Sequence, residues 1–139
     1  MKTKILLSTL AALVLASAPA AAAGDALAKP ITVATGDLVA QDIANLLDAM
    51  RASDAAVVHY DRATKKIEIR ILGTKGTLDA AKREVDDFFA RFFDPITYRV
   101  EEIYGVKLED SDFRIRYLNR AADYREMVRR ENGKYFIPE

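Results

Sequence analysis

Three arginines and one glutamate alternate with apolar residues in two stretches of the chain, and their types and spacing point to recognition chemistry. Glu68 and Arg70 alternate with isoleucines in KIEIRIL, and Arg114 and Arg116 alternate with apolar residues in FRIRYLN. Alternation with a period of two is typical of β-strands that have one covered face and one face in water. The four charged side chains are therefore predicted to share the solvent-facing side of a sheet.

Arginine held on a rigid sheet suits the planar recognition of carboxylate or phosphate groups. We therefore expect this exposed face to bind, with Arg70, Arg114, Arg116, Glu68 and the nearby His59 as its residues. The expected partner is a protein or an anionic polymer of the cell envelope. The alternative is an ordinary solvated face on which glutamate and arginine pair across strands.

His59 is the only histidine in the chain. The stretch VVHY around it predicts a strand in which Val58 and Tyr60 face the core and His59 points outward. The sequence has no nucleophile motif such as G-x-S-x-G, and a single histidine cannot build a zinc site without several carboxylates. We therefore assign no catalytic residue, no metal and no cofactor. A small envelope hydrolase that uses carboxylates, with or without His59, stays as an alternative.

An acidic stretch, LEDSDF, places Glu109, Asp110 and Asp112 close together in the sequence. The spacing resembles the start of a calcium loop, but the glycine and the closing glutamate of such a loop are missing. Phe113 begins a predicted strand at that position instead. The stretch is interpreted as a solvated turn.

The N-terminal residues have the pattern of an export signal. Lys2 and Lys4 precede a short apolar run, and small residues follow up to Ala23. This pattern predicts a signal peptide over residues 1–23 and a periplasmic or secreted protein. The apolar run is short for a bilayer span, so no stable membrane insertion is expected after cleavage.

The composition of the remaining residues, 24–139, excludes some classes of function. They hold 19 Lys and Arg against 21 Asp and Glu, and the chain has no cysteine. A near-neutral domain offers no electrostatic reason to bind nucleic acid. The lack of cysteine removes disulfides, thiol catalysis and thiolate metal sites.

The order of predicted elements gives the fold class. An extended lead-in covers residues 24–35, and a single domain over 36–139 begins with a helix. A strand hairpin, a long helix over 78–104 and a third strand follow, with Thr77 and Gly105 as the caps of the long helix. The prediction is an α+β two-layer sandwich of order α-β-β-α-β, with both helices on one face of a small, mostly antiparallel sheet. Pro95 allows either one kinked helix or two consecutive helices.

Four phenylalanines of the long helix share one helical face. Phe88, Phe89, Phe92 and Phe93 all fall on the apolar stripe. The polar side of this helix is acidic, whereas membrane-surface helices carry Lys and Arg there. We interpret the phenylalanines as core residues that pack on the sheet, with a ligand pocket and membrane contact as the alternatives.

The C-terminal segment 121–137 fits either a helix or a hairpin. Asn132-Gly133 between two β-prone runs is a strong signal for a two-residue hairpin turn, and the hairpin is preferred. Its last strand would then be an edge strand. Self-association through that edge is a third hypothesis of function, and homo-oligomerisation stays open.

Overall fold

The structure is a computed structural model that describes residues 33–50 and 55–138. The predicted signal peptide, 1–23, and the lead-in residues 24–32 lie outside the described residues. The helices and strands are α1 (Val33–Ala49), β1 (Ala55–Asp61), β2 (Lys66–Gly73), α2 (Leu78–Tyr104), β3 (Phe113–Asn119), β4 (Arg125–Glu131) and β5 (Lys134–Phe136), with 3-10 turns at Asp110–Asp112 and Arg120–Ala122.

The five strands form one sheet in the order β1-β2-β3-β4-β5. Strand β3 runs parallel to β2, and the other three neighbouring pairs are antiparallel. The parallel pair needs a long crossover connection, which α2 supplies. The α+β fold with a mostly antiparallel sheet is therefore confirmed, and the α-β-β-α-β order is followed by a terminal hairpin.

The first helix begins earlier than the sequence predicted. Helix α1 starts at Val33, so the last three residues of the predicted extended lead-in are helical. Gly36, the first residue of the domain predicted over 36–139, lies inside the helix. A Cβ atom there would come within 2.3 Å of the Tyr60 ring on β1. The glycine therefore permits close packing of helix on strand and does not mark a helix end.

Helix α2 is one continuous element of 27 residues, and Pro95 lies inside it. Thr77 caps its N-terminus by accepting a hydrogen bond from the amide of Ala80, at 3.2 Å. Gly105 ends it in the left-handed conformation, with φ of 68°. Both predicted caps are confirmed, and the helix is single. In the described part of the chain, neither helix combines the length and the apolar character that a bilayer crossing requires.

The core lies between the two helices and one face of the sheet. Phe88 and Phe92 are buried in it, whereas Phe89 and Phe93 are partly buried and stack on each other with their centroids 4.5 Å apart. The core assignment of the phenylalanines is therefore confirmed. The other large buried side chains come from both helices and from β1 to β4, and include Ile43, Tyr60, Ile67, Ile69, Ile96, Tyr117 and Val128.

The terminal segment is a β-hairpin, as the preferred interpretation predicted. Strands β4 and β5 pair antiparallel through a turn at Asn132 and Gly133. Both turn residues have positive φ, 53° and 73°. A two-residue turn with two positive φ values matches the twist of the strands it joins, which explains the Asn-Gly pair.

Candidate functional site

The helix-free face of the sheet carries two rows of side chains that run across all five strands. Register partners on neighbouring strands point to the same side of a sheet, so each row shares this face. The arginine row is Val57, Arg70, Arg116, Arg129 and Phe136, and the glutamate row is His59, Glu68, Arg114, Glu131 and Lys134.

Glu68 is the centre of this face and is buried, with 4 % of its surface exposed. Its carboxylate accepts a hydrogen bond from Nε of Arg70 at 2.5 Å. Nη1 of Arg114 donates to it at 3.3 Å and Nη1 of Arg116 at 3.2 Å. Three arginines from two strands therefore converge on one glutamate. The sequence placed Glu68 on an exposed face; that exposure is wrong, because the arginine side chains lie over the carboxylate.

The pKa of Glu68 reflects two opposed effects. Burial raises the pKa of this carboxyl, because the charged form loses its water. The hydrogen bonds and charges of Arg70, Arg114 and Arg116 outweigh burial and hold the pKa of Glu68 below its ordinary value. The glutamate is therefore ionised at neutral pH.

Arg114 and Arg116 are each held by further carboxylates. Arg114 also donates to Asp61 at 3.2 Å and to Glu131 at 3.1 Å. Arg116 makes two bonds to Glu126, at 2.8 and 3.1 Å. Burial lowers the pKa of each guanidinium, but these bonds reverse the effect and raise both pKa values above the ordinary one.

Arg114 and Arg116 are thus the fixed part of the face. Their side chains are only 16 % and 26 % exposed. The prediction that Arg114 and Arg116 are fully exposed is therefore also wrong. They are engaged mainly with carboxylates of the chain itself, which leaves them little freedom to bind a partner.

Arg70 and Arg129 form the accessible part of the arginine row, with side chains 38 % and 39 % exposed. Arg70 uses Nε for Glu68, and Nε of Arg129 lies 3.2 Å from Glu131. Among the described residues, neither arginine has a hydrogen-bonding partner for its two terminal nitrogens. Each can therefore present a pair of N–H donors to an outside carboxylate.

The two ends of the arginine row are apolar and exposed. Val57 is 45 % exposed on β1, and Phe136 is 42 % exposed on β5. The guanidinium of Arg129 lies 5.3 Å from the centroid of the Phe136 ring, within the range of a cation–π contact. The row therefore combines two partly free cations with apolar ends, which an ordinary solvated face does not need.

Two hollows adjoin the β5 end of the arginine row. The smaller, about 80 Å³, is lined by Glu126, Arg129, Phe136, Ile137 and Pro138. The larger, about 490 Å³, is lined by Gly76, Leu78, Arg125, Glu126, Met127, Ile137 and Pro138. Only the smaller hollow includes Arg129 and Phe136 of the arginine row.

All five residues predicted for the site lie on this one face. His59 is exposed and pairs in register with Glu68. The sequence missed Arg129, Glu126 and Glu131, because the segment that holds them was read as either helix or hairpin. Alternation back from Asn132-Gly133 could have placed Glu131 and Arg129 on the face. It could not have placed Glu126, because a register shift in this strand leaves Met127 and Val128 both buried.

The acidic stretch with calcium-loop spacing is bonded within the structure. Across residues 33–50 and 55–138, no group of three or more His, Asp or Glu side chains is placed to hold a metal ion. Asp110 is bound by Arg130 at 2.6 and 3.0 Å, and Glu109 and Asp112 form a reciprocal capping box. The acidic turn is therefore engaged in holding the structure.

The chain matches no known protein-family model, no curated protein and no solved structure. The fold and the helix-free face define the class: a small α+β protein with a two-layer core and one charged sheet face that no described helix covers.

Proposed function

We propose that the chain is an exported, noncatalytic binding protein whose working surface is the helix-free face, and that its partner is a protein. Export rests on the N-terminal pattern of the sequence. The binding proposal is carried by one observation, which is the cross-strand alignment of Arg70, Arg116 and Arg129 between two exposed apolar residues. Arg116 is fixed by Glu68 and Glu126, while Arg70 and Arg129 on either side of it are the accessible cations.

The balance of charge on this face favours a protein partner over a generic anionic polymer. Five cations (Lys66, Arg70, Arg114, Arg116 and Arg129) face four carboxylates (Asp61, Glu68, Glu126 and Glu131) in one ion-pair network. Long-range attraction of a polyanion needs a large uncompensated field, which this network lacks. Recognition here depends on placed donors and apolar contact, which a folded partner surface can match.

The chemistry of the partner surface follows from the row. Carboxylates opposite Arg70 and Arg129 would accept paired N–H donors, and apolar groups would cover Val57 and Phe136. Because Glu68, Arg114 and Arg116 are already bonded to one another, they set the positions of the outer arginines. The rigid centre lowers the cost of ordering the binding residues.

The test places a photoreactive amino acid at one of three exposed positions of the full chain: Val57, Phe136 or Ile103. Ile103 lies on α2 and is 47 % exposed, close to the 45 % of Val57, so it is a matched control. Crosslinking in intact cells, followed by mass spectrometry, identifies what each position touches. We expect one common protein at Val57 and Phe136 and none of it at Ile103.

Two double variants test whether the protein crosslinked at Val57 and Phe136 binds through the arginines. Arg70→Gln with Arg129→Gln removes the two accessible cations, and Arg83→Gln with Arg99→Gln removes two exposed cations from α2. We expect the first pair to abolish the crosslink and the second to preserve it, with both variants folded by thermal melts. Binding at this face would be refuted if the same protein were crosslinked at Ile103. It would also be refuted if Arg70→Gln with Arg129→Gln left the crosslink unchanged.

A further inference from the structure

The two edges of the sheet differ in length. Strand β5 forms one edge with three residues, Lys134–Phe136, and β1 forms the other with seven, Ala55–Asp61. Among the described residues, β1 pairs with β2 alone. An edge strand presents unpaired backbone donors and acceptors, so a long edge is a template for another strand.

The short edge carries the devices by which proteins prevent edge-to-edge pairing. Strand β5 begins with Lys134, and Pro138 follows two residues after its end, where it cannot donate a backbone hydrogen bond. Short length, lysine and proline all discourage strand addition.

The long edge carries none of these devices. The sequence of β1 is AAVVHYD, which has no lysine, arginine or proline, and its register with β2 runs without a shift. Val57 is 45 % exposed on it, and Ala55 and His59 are also exposed. Because one edge is protected and the other is not, the β1 edge is the one available to pair.

The residues of β1 fit an antiparallel copy of themselves. With Val58 on a two-fold axis, Val57 lies opposite His59 of the second copy, and Ala55 lies opposite Asp61. Asp61 is the only acidic residue of β1 and stands at its end. Antiparallel pairing keeps the two Asp61 carboxylates about 20 Å apart at 3.4 Å per residue, whereas parallel pairing in register would place them side by side.

We propose that β1 pairs with β1 of a second copy of this chain, in an antiparallel two-fold arrangement that makes one sheet of ten strands. The helix-free faces of the two copies then become continuous. Because Val57 lies opposite His59 of the second copy, each arginine row continues into the glutamate row of the other copy. The pairing rests on β1 alone and needs no partner at the arginine row, so it stands apart from the proposed function. Seven residue pairs form a small interface, so the dimer is reversible and depends on concentration.

The test is the molar mass of the purified protein without the predicted signal peptide, residues 1–23. It is measured by sedimentation equilibrium from about 1 μM to about 500 μM, a range that covers weak association. We expect the mass to rise from monomer to dimer. Val57→Lys and His59→Lys place a cation on the edge and should keep the protein monomeric. The matched control Ile103→Lys should dimerise like wild type.

Each outcome decides the matter. A wild type that stays monomeric over the whole range would overturn the proposal, and so would a dimer that both edge variants retain. Higher oligomers would also overturn it, because a two-fold pairing of one edge closes at two copies. Thermal melts of the lysine variants check folding, and two separate edge positions guard against the failure of either one.

Discussion

The guanidinium of Arg130 lies 3.7 Å from the centroid of the Phe89 ring, which connects β4 to α2 across the core face of the sheet. The same guanidinium makes two bonds to Asp110, at 2.6 and 3.0 Å. Phe89 is therefore covered by a fixed cation and is not left to solvent. Strands β4 and β5 pair over only three residues, and the contact of Arg130 adds cover for Phe89 beside them.

Replacing Arg130 should separate the two contacts. We expect Arg130→Ala to lower the free energy of unfolding by about 2 kcal/mol, because it loses both the cation–π contact and the charge-assisted pair. Asp110→Ala should cost less, since it leaves the guanidinium over Phe89. Urea unfolding of both variants measures the difference. Equal costs would mean that the contact with Phe89 adds nothing.

Removing the charge of Glu68 should be the most damaging change on the helix-free face. Glu68→Gln leaves Arg70, Arg114 and Arg116 close together around a neutral, buried amide. We expect a loss of about 3 kcal/mol in the free energy of unfolding. Glu126→Gln is the control, because Glu126 bonds Arg116 alone at the side of the network. Similar losses in the two variants would contradict the central role of Glu68.

The free energy of unfolding should fall as the pH drops, in part because of Glu68. Its pKa is lower in the folded protein than in the unfolded chain, so its stabilising contribution is present above the ordinary glutamate pKa and disappears as the pH falls through the folded value. The stability difference between wild type and Glu68→Gln should therefore shrink as the pH drops. Chemical unfolding at a series of pH values from 7 downward measures this. A difference that is constant in acid would show that Glu68 does not titrate with unfolding.

A hydrogen bond connects the two helices: the hydroxyl of Tyr104 on α2 donates to the carboxylate of Asp42 on α1. This bond is the main reason that the pKa of Tyr104 is raised. We expect Tyr104→Phe to cost about 1 kcal/mol in unfolding free energy. Tyr98→Phe, on a tyrosine that is 69 % exposed, should cost almost nothing. If both variants melt like wild type, the bond contributes no stability.

Replacement by alanine should destabilise the protein at Gly36 but not at Gly76. Gly36→Ala improves helix propensity but drives a methyl group into the Tyr60 ring, so we expect a net loss of about 1–3 kcal/mol. Gly76→Ala has its nearest atom 3.9 Å away and should be close to neutral. Thermal melts of both variants compare them. A stabilised Gly36→Ala protein would contradict the close packing of α1 on β1.

The sequence by itself determined the elements whose signals are local. Alternation in KIEIRIL and FRIRYLN placed two strands, Thr77 and Gly105 placed the ends of α2, and Asn132-Gly133 placed the last turn. Each signal depends on a few neighbouring residues, because strand pleating, capping and turn conformation are local properties of the backbone. The assignment of all five site residues to one face also followed from alternation alone.

Only the tertiary structure decided what those side chains do on the face. Alternation states which side a residue faces, but not which residue of another strand lies beside it. The parallel register of β2 with β3 brings Arg114 and Arg116 to Glu68, and the β4 register adds Glu126, Glu131 and Arg129. The sequence predicted a row of exposed charges. Pairing between strands that are distant in sequence instead surrounds a buried glutamate with arginines.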